Sequence, residues 1–163
     1  MIKISPMEER LSAEWGLRTG EKIRDKLFEG YSENATVKNI LDAQKLVVCS
    51  YALGKILASY EVSLKSAQLR RFYESLLNIK ATISTIRTKP NANDLFGKKA
   101  LPEILMLKPQ LANAKARQLR EVTPFFDVIN PMLDIVRSIE DYDRLCQFVE
   151  ATVAYHKYCG GRD

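Results

Sequence analysis

One histidine, His156, is all the imidazole in a chain of 163 residues, and its three cysteines include no Cys-x-x-Cys pair. General acid–base chemistry and structural zinc sites draw on these groups, so both start with few candidates. Cys146, His156 and Cys159 are the only soft ligands near one another in sequence, and His-x-x-Cys spacing without a paired Cys-x-x-Cys does not make a zinc site. Asp141 and Asp143 precede the last helical pattern, where capping accounts for them. A glycine-rich phosphate loop is missing too, because Gly160 and Gly161 close a helix instead of opening one. His156 lies on the apolar side of that helix and reads as a core or helix-end residue. The expectation is a protein with no catalytic residue, no metal ligand, no cofactor and no small-molecule substrate, and not an enzyme.

Long apolar runs are equally scarce. The longest, Leu46 to Gly54, is interrupted by Ser50 and bracketed by Lys45 and Lys55, far short of a membrane span. The opening MIKISPMEER has no apolar core of a signal peptide. An odd cysteine count without framework spacing reads as reduced thiols, with Cys49 and Cys146 as small core hydrophobes. These absences predict a cytoplasmic protein with no membrane partner.

Strand-like alternation is absent, and what is present is helical periodicity. Leu11, Trp15, Ile23 and Leu27 predict a first helix over 7–30, weakened by Gly16 and Gly20. Thr36 is a candidate cap for a second, over 37–60, whose apolar residues surround it and make it the most buried element. A third, capped by Ser63 or Ser66 and ending near Arg87, carries the stripe Leu69, Phe72, Tyr73, Leu76, Ile79, Ile83 and Ile86. Turn chemistry from Thr88 to Asp94, ended by Pro102, predicts a mobile basic loop over 88–102. A fourth helix spans 103–121, kinked or reopened at Pro109. A fifth begins near Pro124 and bends at Pro131. The last, capped by Asp141 or Asp143, stops at Gly160. The fold class is all-α: a compact single-domain bundle of five to six helices over 1–163, with a variable N-terminal helix and turn over 1–36.

Charge is unevenly spread. Residues 65–120 hold twelve basic and three acidic side chains, +9, whereas the remainder holds thirteen basic and seventeen acidic, −4. A basic centre with mildly acidic flanks suits a polyanion, or an interface on which copies meet head to tail. Arg70, Arg71, Lys80, Arg87, Lys115, Arg117, Arg120 and Lys157 are the candidates for tracking an RNA backbone, with Tyr155 or Tyr158 as aromatic neighbours. The plainer alternative is a helical adaptor whose basic face docks an acidic protein without touching RNA.

Three segments carry a resemblance. FVEATVAYHKYCGGRD at the C-terminus, SAQLRRFYESL at 66–76 and LKPQLANAKAR at 107–117 resemble, in order, the small all-helical subunit of type III-A CRISPR effector complexes, the Csm family. Asn113, Ala116 and Cys159 depart from that family's usual Tyr, Gly and Tyr. The resemblance implies a non-catalytic subunit of an antiviral ribonucleoprotein, present in several copies as an inner filament beside other Csm subunits. It implies binding along guide RNA and target RNA without sequence choice. Carried over by motif, Arg70, Arg71, Lys115, Arg117 and Lys157 are the implied RNA contacts.

Overall fold

The computed structural model describes residues 4–163. Among these, the regular structure is entirely helical: α1 (Met7–Glu14), α2 (Gly20–Phe28), α3 (Val37–Ile40), α4 (Ala43–Ala58), α5 (Ser66–Ile86), α6 (Ala92–Leu95), a π-helical turn (Phe96–Ala100), α7 (Leu101–Leu105), α8 (Leu107–Arg117), α9 (Leu119–Leu133) and α10 (Ile139–Tyr158). The all-α bundle is as expected, with more breaks than the periodicity suggested. No helix among the described residues is long and apolar enough to cross a membrane.

Each break has a local cause. Gly16, at φ 67°, ends α1 in the left-handed region open to glycine, so the expected helix over 7–30 is two. Thr36 does cap a helix, accepting from Asn39 N, but α3 stops after one turn. Asp42 then caps α4 by accepting from Lys45 N. Gln118, at φ −138° and ψ 71°, separates α8 from α9, so α9 starts five residues before Pro124. Pro109 sits in the first turn of α8, where a missing N–H costs nothing.

Two caps and one loop are corrected. The N-cap of α10 is Ser138, whose hydroxyl accepts from Asp141 N; it is neither Asp141 nor Asp143. Asp141 is buried instead and ties two segments together, accepting from Lys38 N at 2.8 Å and Arg137 N at 2.9 Å. For α5 the N-cap is Lys65 with no side-chain cap, and neither Ser63 nor Ser66 serves there. Most of the expected mobile loop over 88–102 is helical from Ala92 onward. Phe96, Ala100 and Ile104 recur every four residues and are buried in the core.

α4 and α10 form the centre. They run parallel, because Lys38 just ahead of α4 meets Asp141 at the start of α10, while Gly54 meets Tyr155 and His156 near its end. α4 is buried on most sides, from Val48 through Gly54 and at Leu57, as its apolar circumference predicts. A Cβ placed on Gly54 would stand 2.7 Å from His156 N and 2.8 Å from Tyr155 Cβ, so the helices touch backbone to backbone. α5 returns antiparallel along α10, pinned at one end by Ser66 with His156 and at the other by Arg87 with Asp143. The buried Tyr142 hydroxyl donates to Leu76 O at 2.6 Å between these pins. α1 lies on α4, and α2 packs on α9 through Gly20, whose hydrogen faces Pro124 O. Cys49 and Cys146 are buried thiols, pushed up by burial to about 12 and about 11, consistent with inert packing.

Gly54→Ala should therefore destabilise the fold by roughly 2–3 kcal/mol, since neither backbone can yield cheaply. Gly97→Ala, with nothing within 4 Å of the new methyl, should be neutral or mildly stabilising. Urea denaturation of the two variants beside the parent checks both signs.

Candidate nucleic-acid interface

The C-terminal signature is a structural latch. After α10, Gly160 takes φ 92°, and Gly161 N turns back to donate to His156 O at 2.7 Å. Gly161 lies against the imidazole: a Cβ there would fall 2.1–2.5 Å from three ring atoms. The imidazole is 1% exposed. Its Nε2–H donates to Leu64 O at 2.7 Å, and its Nδ1 faces the Ser66 hydroxyl at 3.4 Å. A carbonyl only accepts, so the proton belongs on Nε2 and Nδ1 is left as the acceptor. Ser66 N donates to Arg162 O at 2.7 Å, which closes the tail onto the start of α5. His156 is thus a strut between α10, the strap before α5 and the tail.

The neighbouring tyrosines divide. Tyr155 is half-buried, edge to face with Tyr51 at 5.4 Å and with Tyr158 at 6.3 Å. Tyr158 is 69% exposed and is the one of the pair available to a partner. Lys157 is exposed beside it.

The basic candidates separate into three surroundings. Arg71 on α5 and Arg117 on α8 line one cleft, of about 380 Å³, between α5 and the corner where α8 meets α9. Phe72, Leu69, Leu111, Val122 and Phe125 supply its apolar lining, and Gln68 donates an amide hydrogen bond to Gln118 across it. Lys80 and Arg87 are two turns apart on another flank of α5, the one toward α10. Arg87 makes a two-pronged ion pair with Asp143, both bonds at 2.9 Å, and that bond is the main reason its guanidinium holds its proton more tightly than usual. Lys80 lies near enough to Cys146 to pull that thiol partly back from the upward push of burial.

Lys115 points elsewhere. Two residues on a helix differ by about 200°, so Lys115 and Arg117 leave α8 in nearly opposite directions. The Lys115 ammonium sits 4.3 Å from the centre of the Phe126 ring, beside Asp127, whose carboxyl is raised by burial and drawn back by that lysine. Arg120 pairs with its neighbour Glu121 at 3.0 Å. Among the described residues Arg70, Arg71, Lys80, Lys115, Arg117 and Lys157 form no ion pair. The cleft joining Arg71 to Arg117 was not legible in the sequence, which does not say how a helix at 66–86 and one at 107–117 lie side by side. Among the described residues, no group of three or more His, Cys, Asp or Glu is placed to hold a metal ion.

Among the described residues the regular structure is all helical, and Arg71 on α5 and Arg117 on α8 line one cleft. The family described as Csm2 Type III-A matches residues 41–162, from just before α4 to the latch, and the chain belongs to that family, the small subunit of the type III-A Csm complex. No curated protein and no solved structure matches the chain. The matched span takes in the resembling segments up to Arg162, and α1, α2 and α3 lie outside it.

The latch has a pH signature. Burial lowers the proton affinity of His156 below the ordinary 6.5, opposed by its bond to Leu64 O. Below about pH 6.5 the unfolded chain takes up a proton that the folded chain resists, so this contribution to stability is complete above that value and is lost as pH falls. Its slope is at most about 1.4 kcal/mol per pH unit. Denaturation curves between about pH 5 and 7 should show less of this acid loss in His156→Gln than in the parent. An unchanged slope would show that other groups produce it.

Proposed function

We propose that this chain is a non-catalytic RNA-binding subunit of a cytoplasmic type III-A Csm ribonucleoprotein in antiviral defence. In it, several copies form an inner filament along the guide RNA and its paired target RNA, alongside other Csm subunits. The observation that carries the reading is the pairing of Arg71 and Arg117 across the α5–α8 cleft, without acidic partners among the described residues, in a chain of this family. Their role is electrostatic. Guanidinium groups on a surface neutralise phosphates and release counterions, which gives affinity without sequence choice.

Arg70, Lys80 and Lys157 extend the basic surface and are proposed as further phosphate contacts. Arg87 and Arg120 would reach RNA only by sharing or leaving their carboxylate partners. Lys115 would have to lift off the Phe126 ring. The excess of acidic residues outside 65–120 supports head-to-tail contact between copies, acidic flank to basic centre. Nothing in the surroundings of His156 favours RNA cleavage, since its ring is sealed by Gly161 and committed to Leu64.

Charge reversal of Arg71 and Arg117 together should weaken target-RNA binding by the assembled complex and reduce its salt slope by about two. Filter binding over a salt series reads both quantities. Unchanged affinity and slope in a complex that still contains the variant would remove these residues from the RNA path. Retained RNA binding with the subunit lost from the complex would favour a basic adaptor that docks an acidic protein.

A further inference from the structure

Tracking a polyanion needs cations on a surface and does not need a cavity. Yet a cleft of about 380 Å³ opens beside Arg71 and Arg117. That lies within the roughly 300–1,000 Å³ of pockets that enclose small ligands. Its lining is mostly aromatic and aliphatic. Phe72 is half-buried and meets Phe125 edge to face at 5.1 Å, while Ala114 leaves the α8 wall low. At one end, Gln68 donates an amide hydrogen to the Gln118 oxygen. That bond leaves the Gln68 oxygen as an acceptor and the Gln118 amide as a donor, with no other partner among the described residues. Apolar walls, a donor–acceptor edge and two cations thus share one small space.

A nucleobase with its adjoining phosphate has the complementary features: apolar faces, a hydrogen-bonding rim and an anion close by. A partner helix fits less well. The cleft continues past Ser75 and Gln110 into a more open groove in which Asn78, Thr82 and Glu103 interrupt the apolar Ile79, Met106 and Leu107. An amphipathic helix lying along both would have to cover Asn78, Thr82 and the Glu103 carboxylate with its apolar stripe. We propose that the cleft takes a single unstacked base of a bound RNA, with its phosphate between Arg71 and Arg117 and its polar edge toward Gln68 and Gln118. This rests on the RNA-binding reading above and adds to it a site that encloses one base.

Ala114→Phe fills the cleft without changing charge, and Ala114→Leu is the milder companion should the larger ring unfold the chain. In the assembled complex Ala114→Phe should weaken RNA binding roughly tenfold, in line with the loss of one base–aromatic contact. In the isolated full chain, AMP should move the methyl NMR signals of Leu69, Leu111 and Val122. Inorganic phosphate alone should not move them, and neither should AMP added to Ala114→Phe. Four results overturn the proposal. RNA affinity kept by Ala114→Phe but lost on Arg71→Gln with Arg117→Gln would leave the RNA reading standing without the base site. If AMP moves the methyls while Ala114→Phe leaves RNA affinity intact, the site is one for free nucleotide. Loss of the folded Ala114→Phe subunit from the complex, with no AMP response in the parent chain, would mark a protein-docking groove. If both the cleft-filling and the arginine variants kept full RNA affinity, the broader RNA reading would fall as well.

Discussion

Backbone contact between α4 and α10 at Gly54 is the constraint on which the remaining structure depends. Two parallel helices brought this close leave no room for a side chain between them, and the register is thereby set to within a residue. With α4 and α10 fixed, Tyr155 meets Tyr51, His156 faces Leu64 and Ser66, and α5 must start where the C-terminal tail ends. α5 then runs back along α10 to the Arg87–Asp143 pair, and its free flank becomes one wall of the cleft. The chain of dependence leads from a glycine in the core to the spacing of two arginines at the surface.

The residues that carry the family resemblance most clearly serve this core. His156, Gly160 and Gly161 hold the tail on α5, and none of them presents a reactive group to solvent. A buried imidazole bonded to a carbonyl stays neutral, because a second proton would have to be solvated where little water reaches. The signature at the C-terminus is therefore a fold signature, and the binding proposed for this chain draws on plainer positions on α5 and α8.

Much of the fold was legible because burial follows periodicity. The stripe from Leu69 to Ile86 and the apolar circumference of 48–57 identified α5 and α4, and Cys49 and Cys146 lie in the core as their apolar neighbours indicated. What was not legible depended on long-range partners. Asp141 looked like a local cap, yet its carboxylate is used by Lys38 and Arg137, while Ser138 takes the capping place. The stretch over 88–102 looked like a loop from its Pro, Asn and Gly content, but burial of Phe96 and Ala100 outweighs those local preferences. For the site, composition located the basic segment and motif likeness singled out Arg70, Arg71, Lys115, Arg117 and Lys157, of which Arg71 and Arg117 line one cleft. Helical geometry sends Lys115 to Phe126 instead. The apolar cleft between the two arginines needed the packing of α5 against α8 and α9, which no local pattern encodes.

The central claim is that RNA lies on the α5–α8 face of this subunit. Ultraviolet crosslinking of the affinity-purified complex, followed by mass spectrometry of nucleotide-bearing peptides, tests it most directly. The account predicts crosslinks within 66–78 and 107–118, around Arg71 and Arg117. Crosslinks confined to α1 and α2, or to other subunits only, would contradict it.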